Sequence, residues 1–223
     1  MDFLEGHEEY SVVCTRYARF WQKYGKYECD GFMSFLFPNN EEDADFTLEA
    51  FPWIPQVLTV MYKRDLSEML NHTFYKNLKY KYDVPFYYAV LRFFKVRIIN
   101  QVTGIYRKHD GGVYSGLTGC QSVSRAVETY WDIYQNDPTD IIRDLLMISL
   151  SNYGYQYVKF EKSVKISEMF RTLNRFNQVS HSLKSSVEFM SRLMRASIIR
   201  VIKRPYRNLK PVEPDIQKLS DTF

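Results

Sequence analysis

The chain has 223 residues, a formal net charge of +4, and is 45% hydrophobic, 25% charged and 17% aromatic. So many aromatic residues exclude intrinsic disorder, and 9 glycines and 8 prolines are too few for a collagen-like or low-complexity chain. The length is sufficient for one domain with a substantial hydrophobic core.

The cysteines and the first residues indicate the compartment. Cys14, Cys29 and Cys120 form no CxxC pair, and their odd number excludes a closed disulfide framework, so they are predicted to be reduced thiols. The acidic start lacks the basic and apolar regions of a secretory signal, and the longest apolar stretches are too short to cross a bilayer. We therefore expect an intracellular protein, cytoplasmic or nuclear.

Apolar residues recur at spacings of three and four over most of the chain, which is typical of amphipathic helices. Pro55 and Pro85 suit first helical turns, and Asp137-Pro138 suits an N-cap followed by a first turn. The pattern predicts helices over residues 10–24, 55–70, 85–106, 120–134, 138–148, 166–176 and 180–203. The best strand candidates are residues 32–37 and 153–160.

These elements predict a mainly α fold: a single compact helical domain of about seven helices over residues 1–210, allowing for a minor two-stranded element. The segment from residue 211 to residue 223 is expected to be a mobile tail. The glycine-rich stretch 111–119 is expected to be an irregular connection. It does not match a P-loop, because Cys120-Gln121 stand where that motif requires Lys followed by Ser or Thr.

The residues that usually carry catalysis form no recognisable motif. The four histidines lack the i, i+4 spacing of a metalloprotease helix and have no cysteine at zinc-ligand spacing. Cys120 could be paired with His109 or His181 as a nucleophile, but it continues the apolar face of its own helix, which favours a buried structural thiol. We therefore predict a protein that is not an enzyme and that has no metal and no cofactor.

Charge is distributed unevenly along the chain. The net charge is −7 over residues 1–50, +6 over 51–110, −2 over 111–160 and +7 over 161–223. Alternating blocks of this kind either neutralise each other within the fold or present separate patches to partners.

Two basic segments contain the candidate binding residues. Lys76, Lys79 and Lys81 are interleaved with tyrosines, and cations beside exposed rings are what single-stranded nucleic acid requires. The last predicted helix has an apolar side and a cationic side, and the cationic strip continues beyond Pro205. The predicted contacts of this second segment are Arg192, Arg195, Arg200, Lys203, Arg204 and Arg207.

The leading hypothesis is a binding protein that contacts RNA or single-stranded DNA through these nine residues. One alternative is a protein-interaction or self-assembling subunit, in which the acidic N-terminal residues 1–50 meet the basic C-terminal residues 161–210 of a partner or of a second copy in a homo-oligomer. Another alternative is peripheral association of the last helix with an anionic membrane surface.

Overall fold

The structure is a computed structural model that describes residues 2–29, 43–48, 51, 57–63, 65–111, 117–160, 165–180 and 182–203. The fold is α/β: a curled, mixed sheet of five strands combines with helices. The prediction of a mainly α domain with a minor two-stranded element is therefore wrong. The strand candidate 32–37 and the expected mobile tail 211–223 lie outside the described residues.

Two long parallel strands form the centre of the sheet. The strands are β1 (Tyr10–Trp21), β2 (Lys26–Cys29), β3 (Asp43–Phe46), β4 (Val60–Tyr62) and β5 (Lys95–Lys108). Their order is β2-β1-β5-β3, and β4 pairs with the first half of β1 on the edge that β2 occupies in its second half. β1 and β5 are parallel, whereas the other pairs are antiparallel.

The helices precede, connect and follow the strands. They are α1 (Asp2–Gly6), α2 (Ser67–Asn71), α3 (Thr73–Asn77), α4 (Asp83–Phe93), α5 (Gly119–Asn136), α6 (Asp140–Phe160), α7 (Ile166–Ser180) and α8 (Leu183–Lys203). A 3₁₀ turn over Val57–Thr59 leads into β4. The predicted helices in the second half of the chain are confirmed as α5, α6, α7 and α8, whereas the predicted strand 153–160 is wrong because it is the end of α6.

The first half of the chain was predicted wrongly for a physical reason. In β1 the consecutive residues Val12, Val13 and Cys14 are all buried, so the alternation of a half-exposed strand is absent. The predicted helix 85–106 ends at Phe93 as α4, and β5 follows. Within the predicted helix 55–70, the described residues instead form a 3₁₀ turn, the strand β4 and the start of α2.

One hydrophobic core joins the sheet to the helices. Cys14 of β1 and Ile98 of β5 are buried together with Tyr88, Ala89 and Val90 of α4. Among the later helices the buried side chains include Ile133, Ile142, Leu146, Leu150, Val179 and Phe189. The Phe176 ring of α7 stacks on the Phe189 ring of α8 with centroids 4.4 Å apart. The core thus covers the first halves of β1 and β5, whereas their second halves extend beyond it.

Candidate nucleic-acid interface

The exposed end of the sheet carries a regular array of rings and cations. We call this end, formed by residues 17–29 and 104–108, the ribbon. Trp21 of β1 lies opposite Lys26 of β2 and Lys108 of β5, and Arg19 lies between Glu28 and Tyr106. Residues that pair across strands share one face of a sheet. We call this face of the ribbon the cationic face; it consists of Arg19, Trp21, Lys26, Glu28, Tyr106 and Lys108.

A tight turn places two further side chains beside this face. The turn spans residues 22–25 and connects β1 to β2, and Gly25 has a φ of 61°, in the left-handed region that favours glycine. The N–H of Tyr24 donates to the Trp21 carbonyl (3.1 Å), and the N–H of Gln22 donates to the Lys108 carbonyl (3.0 Å). The turn is therefore tied to both long strands, which fixes where Lys23 and Tyr24 project.

Hydrogen bonds and cation–π contacts orient the rings. Trp21 Nε1 donates to the Glu28 carboxylate (2.8 Å), and Lys108 Nζ lies 4.7 Å from the Trp21 ring centroid. Arg19 donates to the Tyr17 hydroxyl (3.2 Å), and the Tyr17 ring meets the Tyr106 ring edge-on at 6.4 Å. These contacts hold the rings in defined positions before a ligand binds, which reduces the side-chain conformational entropy that is lost on binding.

Two open cavities adjoin at the tip of the ribbon. The first has a volume of about 320 Å³ and is lined by Trp21, Lys23, Tyr24, Tyr106, Lys108, His109 and Asp110. The second has a volume of about 560 Å³ and is lined by Trp21, Tyr24, Lys26, Tyr27 and Glu28. The Tyr24 and Tyr27 side chains remain 50% and 66% exposed, so their rings are accessible to a ligand.

The ribbon and the residues that follow it are positively charged. Residues 17–29 and 104–111 contain only two carboxylates, those of Glu28 and Asp110, against five cationic side chains: Arg19, Lys23, Lys26, Arg107 and Lys108. One of the two, Glu28, accepts the indole N–H of Trp21. The local excess of cations favours an anionic ligand.

Three of the residues predicted from the sequence lie together in another exposed segment. Lys76, Lys79 and Lys81 are all exposed, and Lys79 Nζ lies 5.2 Å from the Tyr80 ring centroid. The carboxylate of Asp132 on α5 accepts the backbone N–H groups of Lys79 (2.8 Å) and Tyr80 (3.0 Å), which fixes the segment against that helix.

The other predicted residues belong to the end of the chain. Arg195 is exposed on α8, which packs against α6 and α7. Arg192, Arg200 and Lys203 also lie on α8, where the structure describes their backbone and not their side chains. Arg204 and Arg207 lie outside the described residues. The two predicted basic segments are therefore supported by different helices.

Of the candidate catalytic groups, Cys120 is buried, His109 lines the first cavity, and His181 lies outside the described residues. Cys14 and Cys120 are buried, and burial raises the pKa of the Cys14 thiol to about 12, so at neutral pH it remains protonated and is a poor nucleophile. The His72 side chain accepts the N–H of Phe74 at the start of α3. Within the described ranges no three His, Cys, Asp or Glu side chains come close enough to hold a metal ion.

Sequence reasoning missed the ribbon because it assigned residues 10–24 to a helix. On a helix, Tyr17, Trp21 and Tyr24 share the apolar side and are expected in the core. On a strand, Tyr17, Arg19 and Trp21 alternate with Ala18 and Phe20, which creates a mixed face of rings and cations. The available signal was the β-branched content of β1 and β5, which is typical of strands.

The fold and the site together define a class: an α/β protein with a curled mixed sheet whose exposed end presents rings and cations. Comparisons with protein-family models, with curated proteins and with solved structures find no match. No helix in the described region of the chain is both long and apolar enough to cross a membrane.

Proposed function

We propose that this protein binds single-stranded nucleic acid on the cationic face of the ribbon. The observation that carries the proposal is the row Lys26–Trp21–Lys108, in which one indole lies between two lysines on three neighbouring strands. A base stacks on a ring while the flanking phosphates pair with lysines, and stacking is worth roughly 1–3 kcal/mol for each base. This arrangement takes a single strand in preference to a duplex, because only unpaired bases present their faces.

The segment from Lys76 to Lys81 supplies a second contact. Its three lysines are exposed, and Tyr82 beside them is 39% exposed. The anchoring by Asp132 keeps these cations at the surface of α5. Such a segment strengthens binding through phosphates without sequence preference.

The salt dependence of binding tests the proposal. Each phosphate contact with a single strand contributes about 0.7 to the slope of log affinity against log salt concentration. The double variant Lys26→Gln/Lys108→Gln is therefore expected to reduce this slope by about 1.4. The measurement is fluorescence anisotropy of a labelled 20-nucleotide single strand of DNA or RNA, titrated at several salt concentrations from about 50 mM upwards.

A matched control separates a local site from overall charge. Lys95 and Lys165 are exposed and lie at the starts of β5 and α7, so Lys95→Gln/Lys165→Gln removes the same charge away from the ribbon. This control is expected to keep nearly the wild-type slope. The proposal is wrong if the wild-type protein does not bind the strand at about 50 mM salt, or if both double variants reduce the slope equally.

A further inference from the structure

The two cavities of the ribbon share a wall. Trp21 and Tyr24 line both cavities, and their ring centroids lie 6.5 Å apart at an angle of 51°. Each cavity adds one tyrosine, at least one lysine and one carboxylate of its own: Tyr106, Lys108 and Asp110 on one side, and Tyr27, Lys26 and Glu28 on the other. The same chemistry, a ring to stack on and a cation for a phosphate, is therefore present twice.

The cavities have the size of small-molecule sites. Volumes of about 320 and 560 Å³ fall within the range of roughly 300–1,000 Å³ that small-molecule sites occupy. A base inside a duplex is stacked on both faces, so it enters such a cavity only when it is unpaired and turned out of the stack. A cavity of this kind on each side of a ring wall suits two neighbouring bases of one strand.

We infer that the Trp21–Tyr24 wall separates two successive unpaired nucleotides, one in each cavity. The inference rests on the proposed function and specifies its ligand: a single strand with two adjacent unstacked bases, and not a duplex or a free mononucleotide. The Trp21 side of the wall is oriented before binding, because Glu28 accepts the indole N–H of Trp21. Tyr27 pairs with Phe20 on the other face of the ribbon, with the two rings 4.8 Å apart, and it lines the second cavity on the edge strand β2.

Dinucleotides that each lack one base test this arrangement. The probes are the thymidine dinucleotide pTpT and its two versions in which the first or the second base is replaced by an abasic sugar. Affinity is measured by competition against the labelled 20-nucleotide strand. The protein variants are Tyr27→Leu and Tyr106→Leu, each of which removes a ring that lines only one of the two cavities. The control is Tyr62→Leu, because Tyr62 is an exposed tyrosine (55%) that lies on β4, outside the ribbon.

Each of the two ribbon variants is expected to bind pTpT about tenfold more weakly than the wild-type protein, a loss within the range for one stacked base. The loss caused by Tyr27→Leu should disappear with one abasic dinucleotide, and the loss caused by Tyr106→Leu with the other. Tyr62→Leu should bind all three probes like the wild type. Thermal unfolding of every variant shows whether the fold is retained.

Two results would overturn the inference: neither ribbon variant weakens pTpT binding, or both lose affinity equally whichever base is absent. If the 20-nucleotide strand still binds and Lys26→Gln/Lys108→Gln still reduces the salt slope, the proposed function stands and only the division into two cavities is wrong. If the 20-nucleotide strand does not bind, the proposed function and the two-cavity inference are both wrong.

Discussion

Replacing Gly154 by alanine tests how closely α6 and α8 pack. An ideal Cβ at this position lies 2.8 Å from Leu193 Cδ2, closer than real Cβ contacts, and 3.2 Å from Phe189 Cζ, a tight contact. Both neighbours are buried, and the Phe189 ring is stacked on Phe176, so making room for the Cβ disturbs the packing between the two helices.

The expected change in stability is the difference between two effects. Alanine is better than glycine within a helix by about 1 kcal/mol, whereas overpacking a close core contact costs about 1–3 kcal/mol. We therefore expect Gly154→Ala to lower the free energy of unfolding by about 1 kcal/mol. For a chain of this length, that corresponds to a decrease in Tm of about 2–4 °C.

Gly119→Ala is the matched control. Gly119 begins α5, and an added Cβ would lie 3.6 Å from Gln156 Oε1, an ordinary contact. This variant is expected to be at least as stable as the wild type. Urea unfolding followed by circular dichroism measures both variants, and Leu193→Ala should destabilise the Gly154→Ala protein less than the wild type because it relieves the close contact. A Gly154→Ala protein as stable as wild type would refute the close approach of α6 and α8.

Two further predictions concern the turn and the sheet. Nothing lies within 4 Å of an added Cβ at Gly25, so Gly25→Ala should lose about 1–2 kcal/mol through its left-handed backbone alone, and Gly25→Asn should lose less; equal urea midpoints for the two variants would contradict this. Hydrogen bonds from Arg97 and then Tyr10 lower the pKa of Asp45 in the folded state, so this carboxylate stabilises the fold above its unfolded pKa of about 3.9 and ceases to do so as the pH falls through the lower folded value. Because the Asp45 side chain is 51% exposed, Asp45→Asn should lose less than about 1 kcal/mol at pH 7, and the difference from wild type should shrink as the pH falls below about 3.9 in urea titrations; a difference that stays constant as the pH falls would count against it.

The later helices could be predicted from the sequence because their burial follows a single period. Val127, Tyr130 and Ile133 of α5 are buried at spacings of three, as the apolar pattern indicates. A capping box at Thr118 and Gln121 marks the start of the same helix, with the Thr118 side chain accepting the Gln121 N–H. Local signals and packing agree there, so the boundary was predictable to within one or two residues.

In β5 the same pattern was misleading. Ile98, Val102 and Ile105 are spaced like one face of a helix, yet in the strand Ile98 is buried whereas Val102 and Ile105 are 48% and 58% exposed. The apolar residues of this strand therefore do not all mark the core. The exposure of Lys76, Lys79 and Lys81 was predictable, because these residues lie outside any apolar period.

An irregularity between β1 and β5 explains why the two halves of these strands differ. β5 advances by three residues, from Ile99 to Val102, while β1 advances by only one, from Thr15 to Arg16. Side chains hold the irregular region together: Arg16 Nη1 donates to Asn100 Oδ1 (2.8 Å), and the Thr15 hydroxyl is hydrogen-bonded to that of Thr103. Such a bulge bends the strand and increases its twist.

The bulge changes what the following side chains can contact. Before it, Val96 and Ile98 are buried beneath the helices of the core; after it, Tyr106 and Lys108 lie half-buried on the cationic face. Gly104 lies at a second register shift, where β5 advances from Val102 to Gly104 while β1 advances by one residue. An added Cβ at Gly104 would collide with the Leu58 side chain, so the absence of a side chain there permits the 3₁₀ turn to approach. The first halves of these two strands thus contribute side chains to the hydrophobic core, and their second halves contribute side chains to the cationic face. Substitutions on that face therefore test binding with little effect on the core.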